Sequence, residues 1–126
     1  MSNLCACESG LAFKDCCQPI LTGDPAPSPE ALMRSRYTAY TLADTAYLLK
    51  SWHPTTRPAS VELNPDQRWL GLKIKDTSNT EAEGYVEFVA RFKIGGKGHR
   101  LHERSRFIKD GAEWFYFDGE LQPSSR

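Results

Sequence analysis

Apolar residues recur along this chain with two periods, one after the other. Between residues 29 and 43, Leu32, Met33, Tyr37, Tyr40 and Thr41 stand three or four apart, which places them on one stripe of a helix. Arg34, Arg36 and Thr38 then look outward or sideways. Ser28 offers a side-chain cap, Pro29 suits the first helical position and Glu30 suits the positive end of the helix dipole. The pattern therefore predicts a helix from about Pro29 to Ala43. Asp44 caps a second helix, Thr45 to Trp52, with Leu48, Leu49 and Trp52 on one side. Pro54 ends it, because proline disfavours helical geometry in the residue before it, His53.

From Trp69 onward the period drops to two, which is the signature of strands. Leu70, Leu72 and Ile74 alternate with polar or small residues from Trp69 to Lys75, and Val86, Phe88, Ala90 and Phe92 do so from Gly84 to Ile94. A third strand runs from His99 to Lys109 and a fourth from Glu113 to Asp118, with Gly95-Gly96-Lys97-Gly98 and Asp110-Gly111 as the turns. Helices followed by an antiparallel meander define an α+β fold with the helices on one sheet face.

Ahead of the first periodic segment, Pro19 to Pro29 contains four prolines and reads as a stiff, extended connector. At 126 residues and 40% hydrophobic content the chain has room for one core and a small appendage. Lysine plus arginine and aspartate plus glutamate both number 16, so no global field draws the protein to nucleic acid or a membrane. No membrane-length apolar run and no leader-like start occur, and a cytoplasmic location is expected.

All four cysteines lie within the first seventeen residues, as Cys5-Ala6-Cys7 and Cys16-Cys17. Disulfides within either pair would close almost no loop, although cross-pairing between the pairs remains geometrically open. Converging on one tetrahedral cation fits the count and spacing better, and makes Cys5, Cys7, Cys16 and Cys17 the candidate ligands. Four thiolates suit zinc first, with iron as the other sulfur-tolerant choice. The string Cys5-x-Cys7-x-Ser9-Gly10-x-x-Phe13-x-x-Cys16-Cys17 resembles the SEC-C motif, a small metal-binding element known from the tail of the bacterial protein translocation ATPase. It departs from that motif at Ala6, Glu8 and Leu11-Ala12, and only Lys14 remains of the usual basic cluster.

Further strings extend the likeness: Leu32-Met33-Arg34-Ser35-Arg36-Tyr37, Trp52-His53-Pro54, Trp69-Leu70-Gly71-Leu72, Phe88-Val89-Ala90-Arg91-Phe92, Glu103-Arg104-Ser105-Arg106-Phe107 and Trp114 to Gly119. Over nearly its whole length the chain is similar to the bacterial YchJ-like family. That resemblance implies a cone-shaped fold like nuclear transport factor 2, a curved antiparallel sheet around helices with a pocket inside, and no settled activity. It divides the chain into a SEC-C element at 1–20, a connector at 21–28 and a cone domain at 29–122. Many members carry a second SEC-C element; this chain stops soon after Gly119, and a single clip is expected.

Inside the cone, Tyr37, Tyr40, Trp52 and Trp69 are candidates to line a pocket, or else they fill the core as large aromatics do. His53 has the right intrinsic pKa for a general base, or bonds the last carbonyls of its helix. Glu103 shares a strand face with Leu101, Ser105 and Phe107, where a carboxylate is either paired with an arginine such as Arg36 or Arg34, or serves with His53 as acid and base. Arg100, His102, Arg104 and Arg106, beside Lys73 and Arg91, make a cationic stripe on the other face. Three functions follow: a metal-stabilised binding protein whose clip meets a protein or ribosomal partner and whose cone takes a small ligand; an enzyme using Glu103 and His53; and a metal-handling protein.

Overall fold

The computed structural model describes residues 4–122. Elements run in the order 3-10 turn (Phe13–Asp15), α1 (Cys17–Leu21), α2 (Pro29–Leu42), α3 (Thr45–Lys50), β1 (Gln67–Asn79), β2 (Glu83–Ile94), β3 (Lys97–Asp110) and β4 (Glu113–Leu121). Ser28 Oγ accepts from Ala31 N at 3.1 Å at the start of α2, and Asp44 Oδ1 accepts from Tyr47 N at 3.1 Å at the start of α3. Between them Ala43 turns left-handed at φ 57° and closes α2.

The four strands form one antiparallel sheet in the order β1-β2-β3-β4. Gly95 and Gly96 both have positive φ, as a two-residue hairpin turn matching the strand twist requires. Irregularities at Trp69/Gly71 and Ile74/Asp76 in β1, and opposite Arg106/Phe107 in β4, bend those two strands and curve the sheet around α2. Leu72, Val86, Phe88, Ala90, Phe107 and Trp114 meet Leu32, Met33, Tyr37, Ala39 and Leu48 in the core.

Three expectations change. The connector is not wholly extended, because α1 occupies its beginning; Pro19 falls in the first turn, where its missing N–H is not needed. The second helix stops at Lys50, and Trp52 leaves it to make a parallel bridge with Tyr116. Arg36 and Thr38 are buried, 3% and 1% exposed, whereas Thr41 is exposed. Helix α2 is covered on two sides, by the sheet and by the cysteine-bearing segment, so a one-stripe reading misplaces its polar residues.

Candidate metal centre and cavity

The first pair of cysteines comes from a tight loop. Cys5 N donates to Leu11 O at 2.8 Å and Glu8 N to Cys5 O at 3.1 Å, with Glu8 and Gly10 at positive φ. The second pair comes from the junction of the 3-10 turn and α1. These two pieces bring the sulfurs of Cys5, Cys7, Cys16 and Cys17 within 4.8 Å of one another. Four sulfurs at about 2.3 Å from a central zinc would stand about 3.8 Å apart. Cys7 Sγ lies 3.5 Å from Cys16 Sγ, and Cys16 Sγ lies 3.9 Å from Cys17 Sγ, so the donor set fits such an ion. Cross-paired disulfides are not formed: all four cysteines are free.

The centre is docked on α2. Thr38 Oγ1 donates to Cys17 Sγ at 3.4 Å and lies 3.7 Å from Cys5 Sγ. Arg34 Nη1 donates to the Cys7 carbonyl at 2.7 Å while its Nε donates to Glu30 at 3.0 Å. Ser9 Oγ lies 3.0 Å from Cys16 Sγ. Hydrogen bonding from Cys17, opposed by burial and reinforced by Ser9, Cys16 and Cys5, pulls the Cys7 thiol down to about 4. The same bond to Cys7, with burial, pushes Cys17 up, and burial raises Cys16. Anionic sulfur held by neighbouring donors is the electrostatic demand that a cation satisfies.

A separate cavity of about 270 Å³ lies between α2 and the sheet. Tyr37, Tyr40, Trp52 and Trp69 all line it, together with Arg36 and Glu103. Tyr37 and Tyr40 each pack on Trp69 with ring centroids 5.6 Å apart. Arg36 Nη1 donates to Leu48 O at 2.8 Å and to Ser51 Oγ at 2.6 Å, and its guanidinium lies over the Tyr116 ring at 4.4 Å. Burial pulls Arg36 down, offset by the nearby Tyr40, Tyr116, Tyr47 and Glu103. Trp52 Nε1 is the one buried side-chain nitrogen or oxygen with no hydrogen-bond partner among the described residues.

The comparisons with known proteins bear on both sites. Residues 28–119 match the model described as "YchJ, middle NTF2-like domain", and residues 1–19 match the SEC-C motif. The chain belongs to the YchJ family. A UPF0225 protein of Ralstonia nicotianae, RSc0270, is 49% identical, with 93% of this chain and 90% of that protein covered. One from Enterobacter sp. strain 638 is 45% identical over 100% of this chain and 88% of its own length. Among solved structures, the SEC-C motif containing protein RPA3114 of Rhodopseudomonas palustris has a TM-score of 0.86 and 37% identity, covering 98% of this chain and 100% of that one. A SEC-C motif containing protein from Psychrobacter arcticus has a TM-score of 0.77 and 25% identity, covering 100% and 85%.

In this YchJ-family fold the proposed acid and base do not meet. Glu103 faces the cavity, but His53 is absent from its lining; Nδ1 lies 2.8 Å from Thr55 Oγ1 and Nε2 lies 3.3 Å from Asp110 Oδ2. The cause is the early end of α3, after which His53 N bonds Tyr116 O and the ring packs between Phe115 and Phe117. Glu103 is not ion-paired with Arg36 or Arg34 either. Its Oε2 accepts from Ser105 Oγ at 2.7 Å and from the Tyr116 hydroxyl at 3.5 Å. Gly119 makes room for that carboxylate, since a Cβ there would collide with Glu103 Oε2. The roles of Thr38 and Arg34 at the sulfurs and of Gly119 beside Glu103 escaped the sequence reading; the only advance signal was that the matched strings contain Arg34 and Gly119. A larger groove of about 650 Å³ at one end of the sheet is lined by Tyr85, Arg104, Arg106 and Asp118, among others, and Arg106 is already bonded to Asp118 there.

Proposed function

We propose that the protein is a metal-stapled binding protein: one zinc ion held by Cys5, Cys7, Cys16 and Cys17 fixes the clip onto α2, and the cavity beside α2 takes a small ligand. The observation that carries the reading is the four-sulfur cluster seated on Thr38, with Cys5, Cys7 and Cys17 only 4%, 0% and 1% exposed. When bound, the metal supplies cross-linking and charge neutralisation, with no ligand position left for water. Burial of three of the four ligands favours a structural role over metal handling, which needs an exposed route for exchange. Thr38 orients two sulfurs, and Arg34 ties the loop carbonyl at Cys7 to the same helix. Removing a structural zinc forfeits about 10–16 kcal/mol in zinc-finger peptides, as much as the roughly 5–15 kcal/mol that holds a whole domain.

Elemental analysis and a chelator challenge test the staple. The expected result is one zinc per chain, retained against EDTA until the fold opens. A protein that is folded without metal, or that releases it within seconds under native conditions, rules the staple out. For the cavity, the probe is a fragment library read by the indole NMR signals of Trp52 and Trp69. Hits that shift both signals and are weakened by Glu103→Gln support the site; a library that moves neither removes it.

A further inference from the structure

Equal numbers of basic and acidic residues give the chain no net charge, yet the fold does not spread them evenly. Val86, Phe88 and Ala90 face the core, so the alternate residues of β2 face away from the helices. Register then fixes five rows across this outer face. At one end Tyr85, Arg106 and Asp118 share a row, and Glu87, Arg104 and Glu120 share the next. Most of the charges there have partners: Arg106 Nη2 lies 2.8 Å from Asp118, Glu87 takes His102 at 2.7 Å and Arg104 at 3.8 Å, and Asp76, directly opposite Glu87, accepts from the Tyr85 hydroxyl at 2.9 Å.

The other end is different. Arg68 lies directly opposite Lys93, Arg91 lies directly opposite Arg100, and Lys73 occupies the row between these and the matched rows. Like charges directly opposite each other destabilise a sheet. Lys75, in the irregular stretch of β1, joins Lys73, Arg91 and Arg100 around a groove of about 450 Å³, where Glu8 is the sole carboxylate. None of these six cations makes a hydrogen bond or ion pair among the described residues. A sheet that gives its opposed charges partners at one end and leaves opposed cations without any at the other departs from a local rule where a ligand would offset it.

We infer that this face, Arg68, Lys73, Lys75, Arg91, Lys93 and Arg100, binds the phosphodiester backbone of a nucleic acid. Rows stand about 6.8 Å apart along the strands and strands about 4.8 Å apart, so the patch spans about four phosphates of a stacked strand at roughly 3.4 Å each. Three of the six are arginines, whose planar forks suit phosphate oxygens. Contacts of this kind read no base, so binding is insensitive to sequence. The face is separate from the cavity, and the cysteine loop reaches it through Glu8 alone among the groove's lining residues.

The test is fluorescence anisotropy of the full chain with a labelled twelve-nucleotide oligouridine, titrated at several salt concentrations. Four released counterions predict a slope of log K against log salt of about −3. Arg91→Gln with Arg100→Gln should flatten that slope by about 1.4 and weaken binding about tenfold or more at low salt. Arg104→Gln, in a matched row, should bind within about twofold of the parent by the same reasoning. Both sets of side chains are exposed, and undiminished thermal stability confirms that the variants fold. The inference is overturned by three results: no binding at 50 mM salt, on the order of the low-salt regime; equal losses in the two variants; or polyglutamate competing as well as RNA, which would assign the face to an acidic protein.

Discussion

Replacing Gly119 with alanine should unseat Glu103, and the size of the effect can be worked from the contacts. Gly119 is paired in register with Ser105, so β4 cannot draw back to make space. A methyl group there would collide with Glu103 Oε2 and stand 3.0 Å from the Tyr116 hydroxyl. Displacing the carboxylate loses the 2.7 Å bond from Ser105 Oγ. A bond to a charged group contributes about 1.5–3 kcal/mol, and overpacking adds about 1–3 kcal/mol. Together they destabilise by about 3 kcal/mol, which lowers Tm by roughly 12 °C for a chain of this size. The assay is thermal or urea unfolding of Gly119→Ala in the parent and in a Glu103→Ala background. If Glu103 is the obstacle, the alanine penalty falls below about 1 kcal/mol in the second background, a coupling of about 2 kcal/mol. Equal penalties in the two backgrounds would refute the assignment of Gly119 as the seat of that carboxylate.

Other expectations concern the clip and the core tyrosines. Thr38→Val keeps the shape but removes the hydroxyl that faces two sulfurs; it should cost about 1–2 kcal/mol and weaken metal retention about tenfold or more in chelator competition, and an unchanged affinity would show that Thr38 does not orient the ligands. Burial pushes Tyr37 and Tyr47 up to about 12, helped at Tyr37 by the charge of Glu8 and opposed at Tyr47 by its hydrogen bond with Ser35. Their folded values exceed the unfolded value near 10, so this stability is fully present below about pH 10 and is lost as pH rises toward 12. Phenolate absorbance at 295 nm, roughly the band of ionised tyrosine, should lag behind pH 10 for these two and rise with unfolding; ionisation at pH 10 in an intact fold would contradict the burial argument.

The elements that depend on local chemistry were legible in advance. Ser28, Pro29 and Asp44 fixed the helix starts because caps and proline act within one turn, and Gly95, Gly96 and Gly111 fixed the hairpins because their φ values are positive. The cysteine quartet was equally legible, since two short pairs can serve one centre from almost any loop. What escaped was set by packing at long range. Arg36 and Thr38 read as outward because polarity was taken as a sign of solvent, yet Arg36 is satisfied by Leu48 O and Ser51 Oγ and Thr38 by sulfur. Glu103 lines the cavity, but its partners escaped, because Ser105 was counted only as an inward neighbour on the same strand and Tyr116 comes from a cross-strand register that no single segment encodes. His53 was misjudged for a simpler reason. One residue less or more of helix turns a side chain by about 100°, and α3 ends two residues before the expected Trp52.

Tyr37 and Thr38 are neighbours on α2 that serve opposite sides, the first lining the cavity and the second touching the sulfurs. The clip and the cone are thus consecutive in sequence without being modular in space. Trimming the chain back to Ser28 would strip one flank of α2 bare, and grafting the cysteine loop onto another scaffold would leave behind the threonine that orients its sulfurs. Loss of this N-terminal clip within the family is therefore expected to go with a change at Thr38, and relatives that lack the four cysteines beside an unchanged Thr38 would count against that linkage.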